Sequence, residues 1–372
     1  MPSDRLKVDT LPNEVVLFVC QQFFEQAGTR RWPAPKVKEI AASANRRLKE
    51  LRPDAEYEFT REQIYPVLRE AFLRGFLQYS PPIEEEMKRW LANWTDRPND
   101  CFRVINALDP STARDHVCAA AAELLIDLIR DRQSIAADGC VHVGIPAGYT
   151  SMLICRHLAA RLRAASDVPD LVFHSLTTGW KVDRPQEDPT ALCGLFLDLP
   201  VKVKWVGMFS EPVVRTGIRS DTAFRKALDK PGVTEPFRLR DDISIVVTSH
   251  GDAEGSYLEE AVCELDPKAI SQLQKQGWIG DVCFSPFSKN GPIEQGVSVR
   301  AVTLFDISEL TDLASRPGRS VVLVSAPKIG DSGSMPKSES LRPLLTERDT
   351  LRCWTHVVTD ASTVREVMRP QP

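Results

Sequence analysis

Asp281 is the side chain in this sequence best placed for ligand chemistry. It sits in Gln276–Gly291, read as Gln-Gly-Trp-Ile-Gly-Asp-Val-Cys-Phe-Ser-Pro-Phe-Ser-Lys-Asn-Gly. Gly280 beside it lets backbone approach a neighbour or ligand closely, so the carboxylate is available to accept from hydroxyl donors. The same residue suits a turn in which Asp bonds its own backbone, and local spacing leaves both roles open. A second candidate is Gly144-Ile145-Pro146-Ala147-Gly148-Tyr149-Thr150-Ser151, which joins an apolar strand pattern to a helical one. Gly148 permits an unusual turn, Tyr149 follows it, and Thr150 and Ser151 bring hydroxyls to a helix N-terminus. Free amides and the helix dipole attract phosphate there, although Thr150 is equally suited to a plain cap. A third is Thr248-Ser249-His250-Gly251-Asp252, where His250 and Gly251 follow a strand pattern. His250 could donate to a phosphate, stay exposed, or form an acid–base pair with Asp281.

Other chemistries lack their motifs. No Gly-Lys-Ser/Thr follows the Gly148 loop and no Gly-x-Gly-x-x-Gly occurs, so neither a nucleotide phosphate loop nor a dinucleotide fingerprint is present. Nine cysteines, scattered without a Cys-x-x-Cys, give no metal-ligand spacing. The sequence therefore implies neither a metal nor a cofactor.

These residues need a scaffold, and the apolar periodicity supplies one. From Asp109 onward short β-type runs alternate with helical ones, which predicts a largely parallel sheet covered by helices. The predicted strands are Cys140–Ile145, Leu171–Leu176, Val203–Met208, Ile243–Val247, Ser298–Leu304, Ser320–Val324 and His356–Val358. Helices are predicted over Ser111–Arg132, Ser151–Ala165, Pro267–Gln276 and Ile307–Ala314, with Gly277 in a left-handed cap. Lys328–Ser340, rich in Gly, Ser, Lys and Pro, is expected to be a mobile loop. On such a sheet, ligands bind beyond the carboxyl ends of the strands, where the Gly148 and His250 loops fall.

The first third is different. Helical spacing predicts helices over Glu14–Glu25, Lys36–Leu51 and Thr60–Gly75, the last opened by a capping box of Thr60 and Gln63. Pro66 is a blemish in that helix. Phe76–Tyr79 reads as a short strand stopped by Pro81-Pro82. Three small helices and a strand are the parts of a winged helix-turn-helix. The domains are expected at 1–83 and 109–372, with 84–108 as a linker.

Bulk properties narrow the class. At 372 residues two domains are expected, and 42% hydrophobic with 26% charged residues is a globular composition. A net charge of -4 provides no global basic field, so nucleic-acid binding would need a local patch. No apolar run approaches the roughly 20 residues of a membrane span. The odd cysteine count without an apolar leader suggests reduced thiols in a cytoplasm.

Gly277-Trp278-Ile279-Gly280-Asp281 resembles the Gly-Ala-Val-Gly-Asp signature in the effector domain of SorC-type bacterial transcriptional regulators. The resemblance implies an N-terminal winged helix and a Rossmann-like effector domain related to sugar-phosphate isomerases and deaminases. It implies a polar sugar loop at Thr178, Gly179 and Asp188, and ligand contacts from Gly148 to Ser151, Gly251 and Lys328; in the third loop, where the family usually shows Gly-Ile-Gly, Ser249 and His250 replace small or apolar residues. The last loop reads Ser325-Ala326-Pro327-Lys328, without the family's glycines before its Lys. Thr60–Gly75 resembles the family's recognition helix, making Arg61, Gln63, Arg69 and Arg74 candidates for DNA contact, with Lys38 on the preceding helix. The reading that follows is a DNA-binding regulator, not an enzyme, whose second domain senses a phosphorylated sugar or related metabolite. Its implied partners are an operator and further copies of itself. Two rivals stand beside it: a sugar-phosphate isomerase or deaminase, and a protein-interaction module on the same fold.

Overall fold

The computed structural model describes residues 8–27, 36–55, 58–74, 76–77, 82–107, 109–132, 139–165, 167–179, 183–216, 222–330, 333–347 and 349–369. The chain divides into two compact units, Met1–Tyr79 and Ser80–Pro372.

The first unit is built from α1 (Asn13–Ala27), α2 (Val37–Leu51) and α3 (Ile64–Leu73), with a 3-10 turn at Arg61–Gln63 leading into α3. Val15, Val16 and Val19 of α1 meet Ile40, Ala44 and Leu48 of α2 and Ile64 and Val67 of α3 in one apolar cluster. The expected capping box is present: Gln63 Oε1 accepts from the Thr60 amide at 2.7 Å. Pro66 is harmless because it falls in the first turn of α3, where amides have no intrahelical acceptor. Phe76 and Leu77 form a bend packed on the three helices rather than the start of a strand. Among the described residues this unit has no strand, and Gln78, Tyr79 and Gly75 lie outside them.

Arg74 does not face outward. Its guanidinium donates to the Leu11 carbonyl at 2.7 Å, the Asn13 side chain at 2.9 Å and the Val8 carbonyl at 3.2 Å, and it pairs with Glu70 at 2.8 Å. The sequence placed it on a DNA-facing surface, but these bonds tie the end of α3 to the start of α1. Arg74→Ala should therefore destabilise the first unit by on the order of 2 kcal/mol, since several half-buried charge-assisted bonds are lost together. Urea denaturation of the two proteins checks this.

The second unit opens with α4 (Glu85–Thr95) and β1 (Phe102–Ile105), followed by α5 (Ala113–Arg132), β2 (Cys140–Ile145), α6 (Tyr149–Ala164) and β3 (Asp170–Ser175). Next come α7 (Pro189–Leu192), β4 (Val203–Val206), β5 (Val213–Arg215), α8 (Thr222–Leu228), α9 (Pro231–Arg238), β6 (Ile245–Asp252), α10 (Tyr257–Leu265) and α11 (Pro267–Lys275). The chain then forms β7 (Trp278–Val282), β8 (Ser285–Ser288), β9 (Gly291–Pro292), β10 (Val299–Ala301), α12 (Ile307–Ser315) and β11 (Ser320–Ser325). It ends with β12 (Lys328–Gly330), β13 (Gly333–Met335), α13 (Ser338–Thr346), β14 (His356–Asp360) and α14 (Ala361–Met368).

Seven strands form one parallel sheet in the order β1-β14-β11-β6-β2-β3-β4. Apolar side chains cover both faces, as a parallel sheet requires. The stretch 84–108, expected as a linker, is part of this unit. Leu91 and Ala92 of α4 enter the core, and β1 pairs with β14 from Phe102↔Val357 to Ile105↔Asp360. The Lys328–Ser340 stretch, expected as a mobile loop, contains the β12–β13 hairpin and the start of α13. α13 carries Pro343 and α9 carries Pro236, which hid both helices from a periodicity reading.

β6 outlasts its expected end at Val247 and changes partner along its length. Ile245–Ser249 pair in parallel with β11, whereas His250–Asp252 pair antiparallel with Val282–Gly280 of β7. An antiparallel ribbon, β7-β8-β9, thus grows from the carboxyl end of a central parallel strand.

Candidate functional site

The sheet reverses winding direction between β2 and β6, the position where doubly wound sheets leave a crevice. A cavity of about 390 Å³ lies there. It gathers the ends of three strands and the ribbon: Gly148, Tyr149 and Thr150 after β2, His250 and Gly251 of β6, Lys328 after β11, and Asp281 of β7. These seven of the eleven expected effector residues line one space although they span 181 positions of chain from 148 to 328.

At the mouth of β2, Gly148 has φ +125°, a backbone state that a side chain would strain. That turn starts α6, and no side chain caps the helix. The Ala147 amide donates to Thr177 Oγ1 at 2.8 Å and the Gly148 amide to the Glu187 carbonyl at 2.9 Å. With those two amides engaged, the first turn of α6 is fixed and its dipole end faces the cavity, a setting that favours an anion.

Asp281 is 6% exposed, and its Oδ2 has no hydrogen-bond partner. It sits directly across from Gly251, where any Cβ would lie 2.4 Å from Oδ2, so only glycine admits the carboxylate. Burial raises its pKa to about 7, against the opposing pull of the Lys337 ammonium. Lys337 is itself buried, donates to the His250 carbonyl at 2.7 Å, and has its pKa lowered by burial. Its field also reaches Cys118, whose Sγ donates to the Thr150 carbonyl at 3.8 Å. Arg114 and Arg184 complete the basic lining, and Arg114 lies over the Tyr149 ring at 4.3 Å. Arg114, Arg184, Lys328 and Lys337 thus share the cavity lining with the carboxyls of Asp281, Glu187 and Glu260.

His250 lines the cavity with its ring engaged by the protein. Its Nδ1 meets Ser340 Oγ at 2.8 Å and its Nε2 meets Ser325 Oγ at 2.8 Å. Burial, then the Lys337 charge, lower its pKa to about 3, so the ring is neutral and both nitrogens are engaged. Lys328 lines the cavity but is ion-paired with Asp252 at 3.0 Å and donates to the Glu254 carbonyl at 2.5 Å.

Four expected residues lie elsewhere. Ser151 is buried in α6. Thr178 Oγ1 donates to the Ser210 carbonyl at 2.9 Å, and the Gly179 amide donates to Asp188 Oδ2 at 2.7 Å. Asp188 Oδ1 accepts from the Thr190 amide at 2.7 Å and so caps α7. These last three brace a loop, while the neighbouring Thr177 reaches the cavity instead. Thr177, Arg114, Arg184 and Lys337 were not among the site residues read from sequence. For Lys337 the signal was a second lysine after β11; Arg114 and Arg184 had none.

In the first unit Lys38, Arg61 and Arg69 are exposed. Lys38 and Arg61 both act on the Glu62 carboxylate, which places them on a common patch. Gln63 is committed to the capping box, its Oε1 already accepting a backbone amide.

No protein-family model matches the chain, and no curated protein matches it by sequence. Solved structures do match it by shape. The full-length sorbitol operon regulator SorC from Klebsiella pneumoniae is 14% identical, aligning over 96% of this chain and 98% of its own with a TM-score of 0.57. A transcriptional regulator from Streptococcus pneumoniae TIGR4 is 18% identical, over 76% of this chain and 95% of its own, with a TM-score of 0.55. A probable sor operon regulator from Shigella flexneri is 14% identical, over 77% of this chain and 100% of its own, with a TM-score of 0.55. The fold of this chain is thus the fold of SorC-type regulators, as Gly277–Asp281 implied.

Proposed function

We propose that the protein is a DNA-binding transcriptional regulator whose second unit senses a phosphorylated sugar or related metabolite. One observation carries this reading: a single cavity holds the uncapped start of α6, a buried ammonium at Lys337 and a carboxyl oxygen without a protein partner at Asp281. The first two suit a phosphate and the third a hydroxyl donor. The likeness in fold to the sorbitol operon regulator along nearly the whole chain supports the regulator half of the reading. Ligand binding would favour one arrangement of subunits in a homo-oligomer and so change operator affinity. Such a regulator acts in the cytoplasm, and among the described residues no helix is long and apolar enough to cross a membrane. An isomerase or deaminase reading needs a second working acid–base group beside Asp281, and His250 has both nitrogens engaged.

Sugar phosphates at about a hundredfold over the dissociation constant should stabilise the protein by roughly 2.7 kcal/mol. That is a rise in melting temperature of about 5–10 °C for a domain of this size. A thermal-shift panel of sugar phosphates checks it, and no shift with any of them would leave the interaction-module reading.

DNA contact rests on the exposed Arg61, Lys38 and Arg69. Arg61→Ala should relax preference at one base position at a cost of about 1–3 kcal/mol. Arg69→Ala should weaken all sequences alike and reduce the salt slope by about one unit. Selection of genomic fragments by the full chain, followed by salt titration of the best site, measures both. Failure to enrich any sequence, with and without a stabilising metabolite, would remove the DNA half.

A further inference from the structure

A second cavity, of about 310 Å³, lies next to the one described above. Its walls are largely apolar and come from separate elements: Phe224 of α8, Phe237 of α9, Val262 of α10, Leu273 of α11, Ile293 after β9, and Phe284 between β7 and β8. The charged groups around it are engaged with the protein. Arg240 donates to Glu309 Oε1 and to the Leu304 carbonyl, both at 2.9 Å, and Arg300 lies over the Phe224 ring at 4.1 Å. An apolar cavity of about 150 Å³ accepts a benzene ring, and natural small-molecule sites begin at roughly 300 Å³. This one therefore has room for a fused two-ring compound.

The turn at Phe284 points the same way. Cys283 and Phe284 form a two-residue hairpin loop with φ of +50° and +63°. Asn-Gly or Gly-Gly fits such a turn without strain, and a bulky ring in that region is an outlier. The ring stacks on Tyr257 at 5.2 Å between centroids with planes 13° apart. Tyr257 lines the first cavity and Phe284 lines both, so the stacked pair is the partition between them. An aromatic side chain is held in a strained turn where it forms the shared wall.

We propose that this second cavity is a binding site for a small, largely apolar ligand of two-ring size, divided from the polar cavity by Phe284 and Tyr257. The site does not depend on the first cavity holding a phosphate, and its test uses no phosphorylated compound. The probe is indole, titrated calorimetrically into the full chain. Saturable binding with a dissociation constant of about 1 mM or tighter is expected, well within what nine heavy atoms can supply. Ala301→Leu and Val262→Phe each place extra carbons in the cavity and should weaken indole at least about tenfold. Crystals soaked in 5-bromoindole locate the ring independently of any variant, with the bromine signal expected among Phe237, Leu273 and Phe284. Absence of saturable binding, a bromine signal only elsewhere, or undiminished binding in filled variants that melt like the parent would overturn the proposal.

Discussion

Asp281→Asn should make the ligand-free protein more stable above pH 7 while weakening its ligand at least about tenfold. The carboxyl has an ordinary pKa of 3.8 and, in the fold, one of about 7 because burial penalises its charge. Between those values the folded chain holds a proton that the unfolded chain has released. Stability therefore falls as pH rises from about 4 to about 7, and stays at its lowest above that. About three pKa units correspond to at most about 4 kcal/mol. Asn removes the charge but leaves an amide donor in place of Oδ2, at a cost of about 1–3 kcal/mol. A net gain of roughly 1–3 kcal/mol at pH 8, reversing to a loss of about 1–3 kcal/mol near pH 4, is the expected result of urea denaturation across that range. The affinity loss follows because a hydroxyl bond to an ionised acceptor, worth about 1.5–3 kcal/mol, is lost where Asn presents a donor in place of Oδ2. A variant that is less stable at pH 8 and binds normally would make Asp281 a turn residue alone.

Lys337→Met should cost a phosphorylated ligand about a hundredfold in affinity, and Lys328→Met several-fold less. Methionine keeps the length and apolar stem of the side chain, so the change is chiefly one of charge. Lys337 is buried and among the described residues donates one hydrogen bond, to the His250 carbonyl, and an ammonium has three donors, so others can meet a phosphate. Lys328 is pinned by Asp252 and the Glu254 carbonyl. Without Lys337, Asp281 also loses the principal cation pulling its pKa down, so that pKa should climb above about 7. Calorimetry with a sugar phosphate and its unphosphorylated parent separates the effects, because only the phosphorylated form should feel the full loss. A larger effect from Lys328→Met would return the phosphate to the residue that sequence order indicated.

The residues that local chemistry controls were legible in the sequence. Short apolar runs bounded by turn residues predicted β2, β3 and β11 nearly to the residue. A Gly with positive φ ended the helix before Trp278, because no Cβ opposes that turn. The Thr60–Gln63 box formed because both partners lie within one turn. Asp281 was legible too, since its short motif preserves the glycine beside it.

Tertiary structure decided the matters that depend on distant partners. The partners of His250 are Ser325 and Ser340, 75 and 90 positions away, which engage both ring nitrogens. Arg74 looked like a surface cation until Val8, Leu11 and the first residue of α1 supplied three acceptors more than 60 positions earlier in the chain. Thr178 and Asp188 went to a loop brace because the bend after β3 brings Thr177, not its neighbour, to the cavity. Lys337 became a site residue because β12, β13 and α13 fold its segment back under His250. The raised pKa of Asp281 has the same origin. The sequence supplies a carboxyl and a glycine to face it, and only packing around β6 and β7 removes the water that would keep it charged, against the pull of Lys337.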